Sequence, residues 1–211
     1  MHRNIAALTL ALALLLGGCA AGREDEPLQQ ALDFRQKMLA GECAFTAELA
    51  ADFDDYVCAF SVSCVHTPQE GTELTILAPQ SLAALRAHTD ADGARLVFAD
   101  TEAAFGTLTS RALSPMAAPE LLAQAWESGY IAYAGQEDGQ LHVSFLLGYG
   151  EQELGVETWF QNGAPVYAEL TDAGRTVIQA ELADLIIRKA ERDNENTQAN
   201  LGKHLVGQSG A

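Results

Sequence analysis

The sequence predicts an α+β fold: a strongly curved antiparallel sheet, an open half-barrel, with helices over its concave face. Three observations predict it. Most of the chain is a succession of short segments in which apolar and polar residues alternate, the period of a strand with one buried face. The connections Gln136–Gly139, Gly148–Gly150 and Gln161–Gly163 are rich in Asp, Asn and Gly, so neighbours in sequence pair as antiparallel hairpins. Two segments carry clear helical spacing, and about ten strands in one sheet must curl and be covered on the inside.

The N-terminus is read first as a targeting segment. A polar start with Arg3 precedes the apolar run Ile5–Leu16, which is shorter than the roughly 20 residues a membrane-spanning helix needs. Small residues follow it, as in a secretory signal. Residues 1–18 are therefore expected to be removed, and residues 19–27 form a polar tether. Leu28 to Leu39 carries apolar residues at helical spacing and stops at Ala40-Gly41. After Gly41 the period drops from 3.6 to 2. Strands are expected at Cys43–Leu49, Tyr56–Val65, Glu73–Ala78 and Arg95–Ala99, with weaker ones at Leu82–His88 and Glu102–Thr109. Leu113-Ser114-Pro115-Met116 breaks the pattern, and Ala118–Trp126 is a helix with Pro and Glu in its first turn. Strands resume at Tyr130–Ala134, Leu141–Tyr149, Leu154–Phe160 and Val166–Leu170. Thr176–Arg188 fits a helix, and a closing strand over Thr176–Leu182 is equally tenable. One domain is expected over residues 28–187, with a polar, frayed tail over 188–211.

Charge narrows the partners. The chain carries 12 Lys and Arg against 29 Asp and Glu, a net charge of −17. Losing Arg3 with the signal leaves 11 against 29, or −18. Such a surface argues against nucleic acid and against docking on anionic headgroups. Strong catalytic motifs are absent: there is no HExxH, phosphate-binding loop or GxSxG. Cys58, Cys64 and His66 are metal-ligand types, but on one straight strand Cys58 and Cys64 lie about 20 Å apart, too far to share an ion. The chain is therefore expected to be neither an enzyme nor a holder of a metal or cofactor.

The exit of the signal, Leu16-Gly17-Gly18-Cys19, resembles the lipobox of bacterial lipoproteins. The resemblance implies lipid on Cys19, and hence an extracytoplasmic domain tied to a membrane. The remaining chain resembles the LolA-like fold of lipoprotein-sorting proteins. Two stretches look closer to clostridial lipid-anchored LolA-like lipoproteins, the spore germination lipoprotein GerS group. One runs from Leu113-Ser114-Pro115 through Leu121-Leu122 to Gly129-Tyr130-Ile131. The other is Val156–Phe160 with Pro165–Leu170. The resemblance implies a binding module without catalysis, holding a lipid or acyl chain between sheet and helices. Leu32, Met38, Leu122, Trp126 and Phe145 are the residues expected to line that hollow. The alternative is a protein-interaction lipoprotein that binds or activates another envelope protein, such as a cell-wall hydrolase. An exported hydrolase is a minor alternative. A filled hollow would point to the partner, and an open one to the ligand. Trp159 is in antiphase with Leu154, Val156 and Phe160, which places it on the convex outside.

Three cysteines follow Cys19 in a compartment that permits disulfides. A chain folding back over Asp52–Asp55 sets Cys43 opposite Cys64, within disulfide reach, and Cys58 opposite Leu49. A Cys43–Cys64 bridge is the expectation, with Cys58 a buried thiol.

Overall fold

A computed structural model describes residues 25–52, 57–83, 85–90, 93–98, 101–105, 108–109, 112–150 and 153–189. Cys19, the signal over residues 1–18, most of the tether and the tail from residue 190 lie outside the described residues.

Helix α1 (Asp25–Leu39) leads into strand β1 (Gly41–Asp52). Then come β2 (Val57–Thr67), β3 (Gly71–Ala78), β4 (Arg86–Asp90), β5 (Gly93–Phe98) and β6 (Thr101–Phe105). A small hairpin of β7 (Leu108–Thr109) and β8 (Ala112–Leu113) precedes a short 3-10 turn, Pro115–Ala117, and helix α2 (Ala118–Ser128). Five long strands finish the domain: β9 (Tyr130–Glu137), β10 (Gln140–Leu147), β11 (Leu154–Gln161), β12 (Ala164–Asp172) and β13 (Arg175–Lys189). Eleven of the strands form one antiparallel sheet in the order β6-β5-β4-β3-β2-β1-β13-β12-β11-β10-β9.

The sheet curls as its strand count requires. Helix α2 touches β2 and β3 on one side and β10 on the other. In a flat sheet β3 and β10 would stand about 29 Å apart, at ~4.8 Å per step. A helix of this length, about 16 Å long and 10–12 Å across, reaches both only if the strands wrap around it. Burial follows the pleat. Cys43, Phe45, Ala47, Leu49 and Ala51 of β1 are buried, and the residues between them are not.

Several bounds differ from those the sequence predicts, the expected strand Glu102–Thr109 being divided between β6 and β7, and two of the differences have a clear physical cause. Helix α1 begins three residues before Leu28, at Asp25, so acidic residues open it, where they complement the helix dipole. The ambiguous C-terminal segment is a strand, β13, and it pairs with both β1 and β12. Its apolar residues mimic a helix because a bulge interrupts the alternation. Ile178, Ala180 and Leu182 point inward, and the inward series then resumes one residue out of step at Leu185 and Ile187. Asp184 supplies the extra residue, at φ 55°. The hairpin turns were legible. Asp138-Gly139 and Asn162-Gly163 both hold positive φ, the geometry of the tight turns expected there.

Candidate functional site

The space between helices and sheet is occupied by side chains. Met38 of α1, Leu122 and Trp126 of α2, and Phe145 of β10 are all essentially without exposure. Trp126 is the centre of this packing. Phe34 meets it edge-on at 5.9 Å between ring centroids and Phe45 at 5.5 Å, and Phe34 also packs on Phe160 at 4.9 Å. The indole N–H donates to the Thr158 hydroxyl at 3.1 Å, which satisfies the polar end of a buried ring. Trp126 has no accessible surface, so no water-sized void touches it.

Four of the five hollow-lining residues are thus brought together, and Leu32 is not. It is 41% exposed, as is Leu28, because the inward stripe of α1 is Ala31, Phe34 and Met38. The sequence reading took one flank of the helix for its core face. Arg35 stands between that flank and the core. Its guanidinium donates to the carbonyls of Trp126, at 3.2 Å, and of Gly129, and lies 5.9 Å from the Phe145 ring centroid. It straps α1 to the end of α2. The signal for this was a lone base inside an otherwise apolar helical stripe.

A second buried group joins α2 to the sheet. His66 of β2 and Thr72 of β3 are 2% and 1% exposed. His66 Nδ1 lies 2.7 Å from Thr72 Oγ1, and Nε2 lies 2.9 Å from Glu127 Oε1. Thr72 donates its one hydroxyl proton to Glu120, which also accepts from Gln124 at 2.6 Å. With that proton committed, Nδ1 must donate to Thr72, and Nε2 faces a carboxylate, so the ring is an imidazolium. Burial pulls the His66 pKa down, but its hydrogen bonds and ion pairs with Glu120 and Glu127 outweigh this and raise it to about 9. Burial works to raise the Glu120 pKa, yet the bonds from His66, Thr72 and Gln124 leave it below the ordinary value.

Thr72, His66 and Glu127 have the spacing of a hydroxyl, base and orienting acid. They cannot perform that chemistry, because the hydroxyl is sealed from substrate and the imidazole is already protonated. The sequence reading considered His66 only as a metal ligand. Among the described residues no three His, Cys, Asp or Glu side chains are grouped to hold a metal ion.

On the convex face, Trp159 stands outside as its phase predicts. It stacks on His142 at 4.5 Å, with an interplanar angle of 2°, between Tyr133 and Tyr167. His142 Nε2 and the Ser144 hydroxyl each meet Glu157 at 2.7 Å. The rings face one another across β9 to β12, so this row stiffens the sheet and offers edges to solvent. Tyr130 and Tyr149 are exposed and belong to neither packing group.

The cysteine pairing is corrected by the register. Asp52 pairs with Val57, so the β1–β2 connection is residues 53–56, the same length as the expected turn at Asp52–Asp55 but one residue further along. Cys43 therefore lies opposite His66, and Cys64 opposite Phe45. Cys43 and Cys64 share a face as diagonal neighbours, typically about 7–8 Å apart, beyond the reach of a disulfide. Cys43, Cys58 and Cys64 are all free thiols. Burial, with Glu127 and Glu42 nearby, pushes the Cys43 thiol up to about 12, and burial pushes Cys64 higher still. Both are poor nucleophiles. Cys58 is partly exposed and faces Ala51.

Comparison with known proteins adds fold likenesses. No family model matches the chain, and no curated protein does. Among solved structures, the chain is similar to a LolA superfamily protein from Nitrosomonas europaea, with 10% identity, 77% of this chain and 94% of that one covered, and a TM-score of 0.43. An outer membrane lipoprotein-sorting protein domain from Vibrio parahaemolyticus matches at 12% identity over 85% and 99%, TM-score 0.44. The lipoprotein LppX of Mycobacterium tuberculosis matches at 12% over 80% and 97%, TM-score 0.39.

Proposed function

We propose that this chain is an extracytoplasmic binding module, held to a membrane by lipid on Cys19, that acts by engaging an envelope protein and not by catalysis. The observation that supports this best is the filled hollow. Trp126, Met38, Leu122 and Phe145 occupy the place a lipid or acyl chain would take. Surface contact is then the route left to the domain. The lipobox-like Leu16-Gly17-Gly18-Cys19 supports the anchor. The resemblance of Leu113–Ile131 and Val156–Leu170 to clostridial germination lipoproteins, read from the sequence alone, is the ground for naming a protein partner such as a cell-wall hydrolase.

A second reading, a hydrophobic ligand between sheet and helices, has one observation in its favour. A cavity of about 320 Å³ opens between α1 and the tips of the β9–β10 and β11–β12 hairpins, and Phe34, Leu141 and Phe160 line it. A chain entering there would have to displace the Trp126 cluster.

Mass spectrometry of organic extracts from the domain, expressed without residues 1–19, separates the two. We expect no lipid at stoichiometric amount. One lipid per chain, retained through purification, would transfer the function to the hollow. The anchor has its own test. Cys19→Ala should move the full-length protein from the membrane fraction to the soluble one, or stall its processing. A variant with unchanged partition and unchanged mass would show the anchor assignment to be wrong.

A further inference from the structure

Three irregularities of the sheet fall on one groove. Leu77 is an extra residue in β3 where its register with β2 slips between Ser61 and Val62. Asp184 stands at the bulge of β13 against β1. Val166 is the extra residue of β12 where its pairing with β11 slips between Trp159 and Phe160. Bulges bend strands and re-aim side chains, and they concentrate near functional surfaces. Leu77, Asp184 and Val166 all line a single groove of about 610 Å³ that crosses β3, β2, β1, β13 and β12. Leu77 is 48% exposed.

The charge of the groove is one-sided. Glu48 and Glu181 line it, directly opposite each other across β1 and β13. Like charges in that position destabilise a sheet. Neither has a hydrogen-bond or ion-pair partner among the described residues, and no Lys or Arg lines the groove. The next like-charged pair, Glu157 and Glu169, differs. Its oxygens accept from His142 and Ser144 on one side, and from Tyr167, Thr176 and Gln179 on the other.

We infer that this groove is the docking surface for an extended segment of a protein partner in which basic and apolar side chains alternate. The inference deepens the partner-binding reading and rests on it. Five strands span about 19 Å, the length of about six extended residues. Lys or Arg on one side of such a segment would meet Glu48, Glu181 and Asp184. The apolar residues between them would cover Leu77 and Val166. A second copy of this chain, itself strongly acidic, does not fit the charge.

Fluorescence anisotropy with a labelled peptide of six alternating lysines and leucines tests this on the domain lacking residues 1–19. Binding should weaken at least tenfold in Glu48→Gln/Glu181→Gln, and at least threefold in Leu77→Ser. It should change less than twofold in Glu153→Gln/Asp172→Asn, which removes the same charge from a different groove. Thermal melts of each variant establish folding, and the exposed glutamates make loss of fold in the first variant unexpected. Equal binding by both double variants, no binding to wild type, or equally tight binding of an all-lysine peptide would overturn the inference. Cross-linked envelope proteins compared between wild type and Glu48→Gln/Glu181→Gln distinguish the two levels. A specific partner captured equally by both would relocate its site and leave the partner reading standing, whereas no specific partner on either would remove that reading itself.

Discussion

Replacing Trp126 with Ala is expected to destabilise the domain by about 3–5 kcal/mol, the range for large-to-small changes of a buried aromatic. The indole sits where both helices and both halves of the curled sheet converge, against Phe34 of α1 and Phe45 of β1. Its removal leaves a void that the surrounding rings can fill only in part. It also strands the Thr158 hydroxyl, which has no exposure. Against a typical total of 5–15 kcal/mol, the loss leaves the fold marginal. Denaturant unfolding followed by circular dichroism measures it. Trp126→Phe separates the two causes, since it keeps most of the volume and loses the hydrogen bond, for about 1–3 kcal/mol. A Trp126→Ala domain that survives should gain affinity for small apolar probes such as benzene, as engineered apolar cavities do. A loss below 1 kcal/mol would mean that the hollow is not held shut by this ring, and would revive an internal ligand.

The outline of this architecture was legible in the chain because each strand has one wet face. Cys43 to Leu49 and Leu154 to Phe160 alternate cleanly, and their buried positions are the ones their phase predicts. The hairpins declared themselves through Asp138-Gly139 and Asn162-Gly163, which take up the positive φ those turns require. What was not legible depended on register and on which flank of a helix turns inward. The β1–β2 turn sits one residue later than its composition suggested, which moves every partner on β2 by two residues and so preserves the face while changing the pairing. Cys43 and Cys64 therefore kept their shared face and lost their pairing. On α1 the apolar residues cover more than half a turn, so Leu28 and Leu32 competed with Phe34 and Met38 for the core. The segment at Thr176–Arg188 stayed ambiguous between helix and strand for a related reason, since the bulge at Asp184 turns a period of two into an apparent period of three or four.

The buried polar group was the least visible part of the site, because its members are distant in sequence and each has an ordinary local explanation. Glu120 reads as a first-turn acid that complements the dipole of α2. His66 shares the inward phase of Val62 and Cys64, where a neutral ring would be unremarkable. Only the packing of α2 over β2 and β3 turns them into a charged pair.

That pair has the second large expected effect. Glu120→Ala should cost about 3–5 kcal/mol, because it leaves an imidazolium buried with half its compensation gone. It also leaves the buried Thr72 hydroxyl without an acceptor. The pH dependence gives an independent signature. His66 binds its proton more tightly in the folded chain, with a pKa of about 9, than in the unfolded chain, where a free imidazole titrates near 6.5. Its contribution is fully present below about pH 6.5 and is lost as the pH rises through about 9. Glu120 has the opposite sign. Its lowered pKa supplies stability above the ordinary carboxylate range and forfeits it as the pH falls through the folded value. The unfolding midpoint of wild type should therefore decline steadily from pH 6.5 to 9. In His66→Gln, which can still hydrogen-bond Thr72 but carries no charge, that decline should flatten, although the variant is less stable at pH 6. Parallel curves for the two proteins between pH 6.5 and 9 would mean that His66 is neutral in the folded domain.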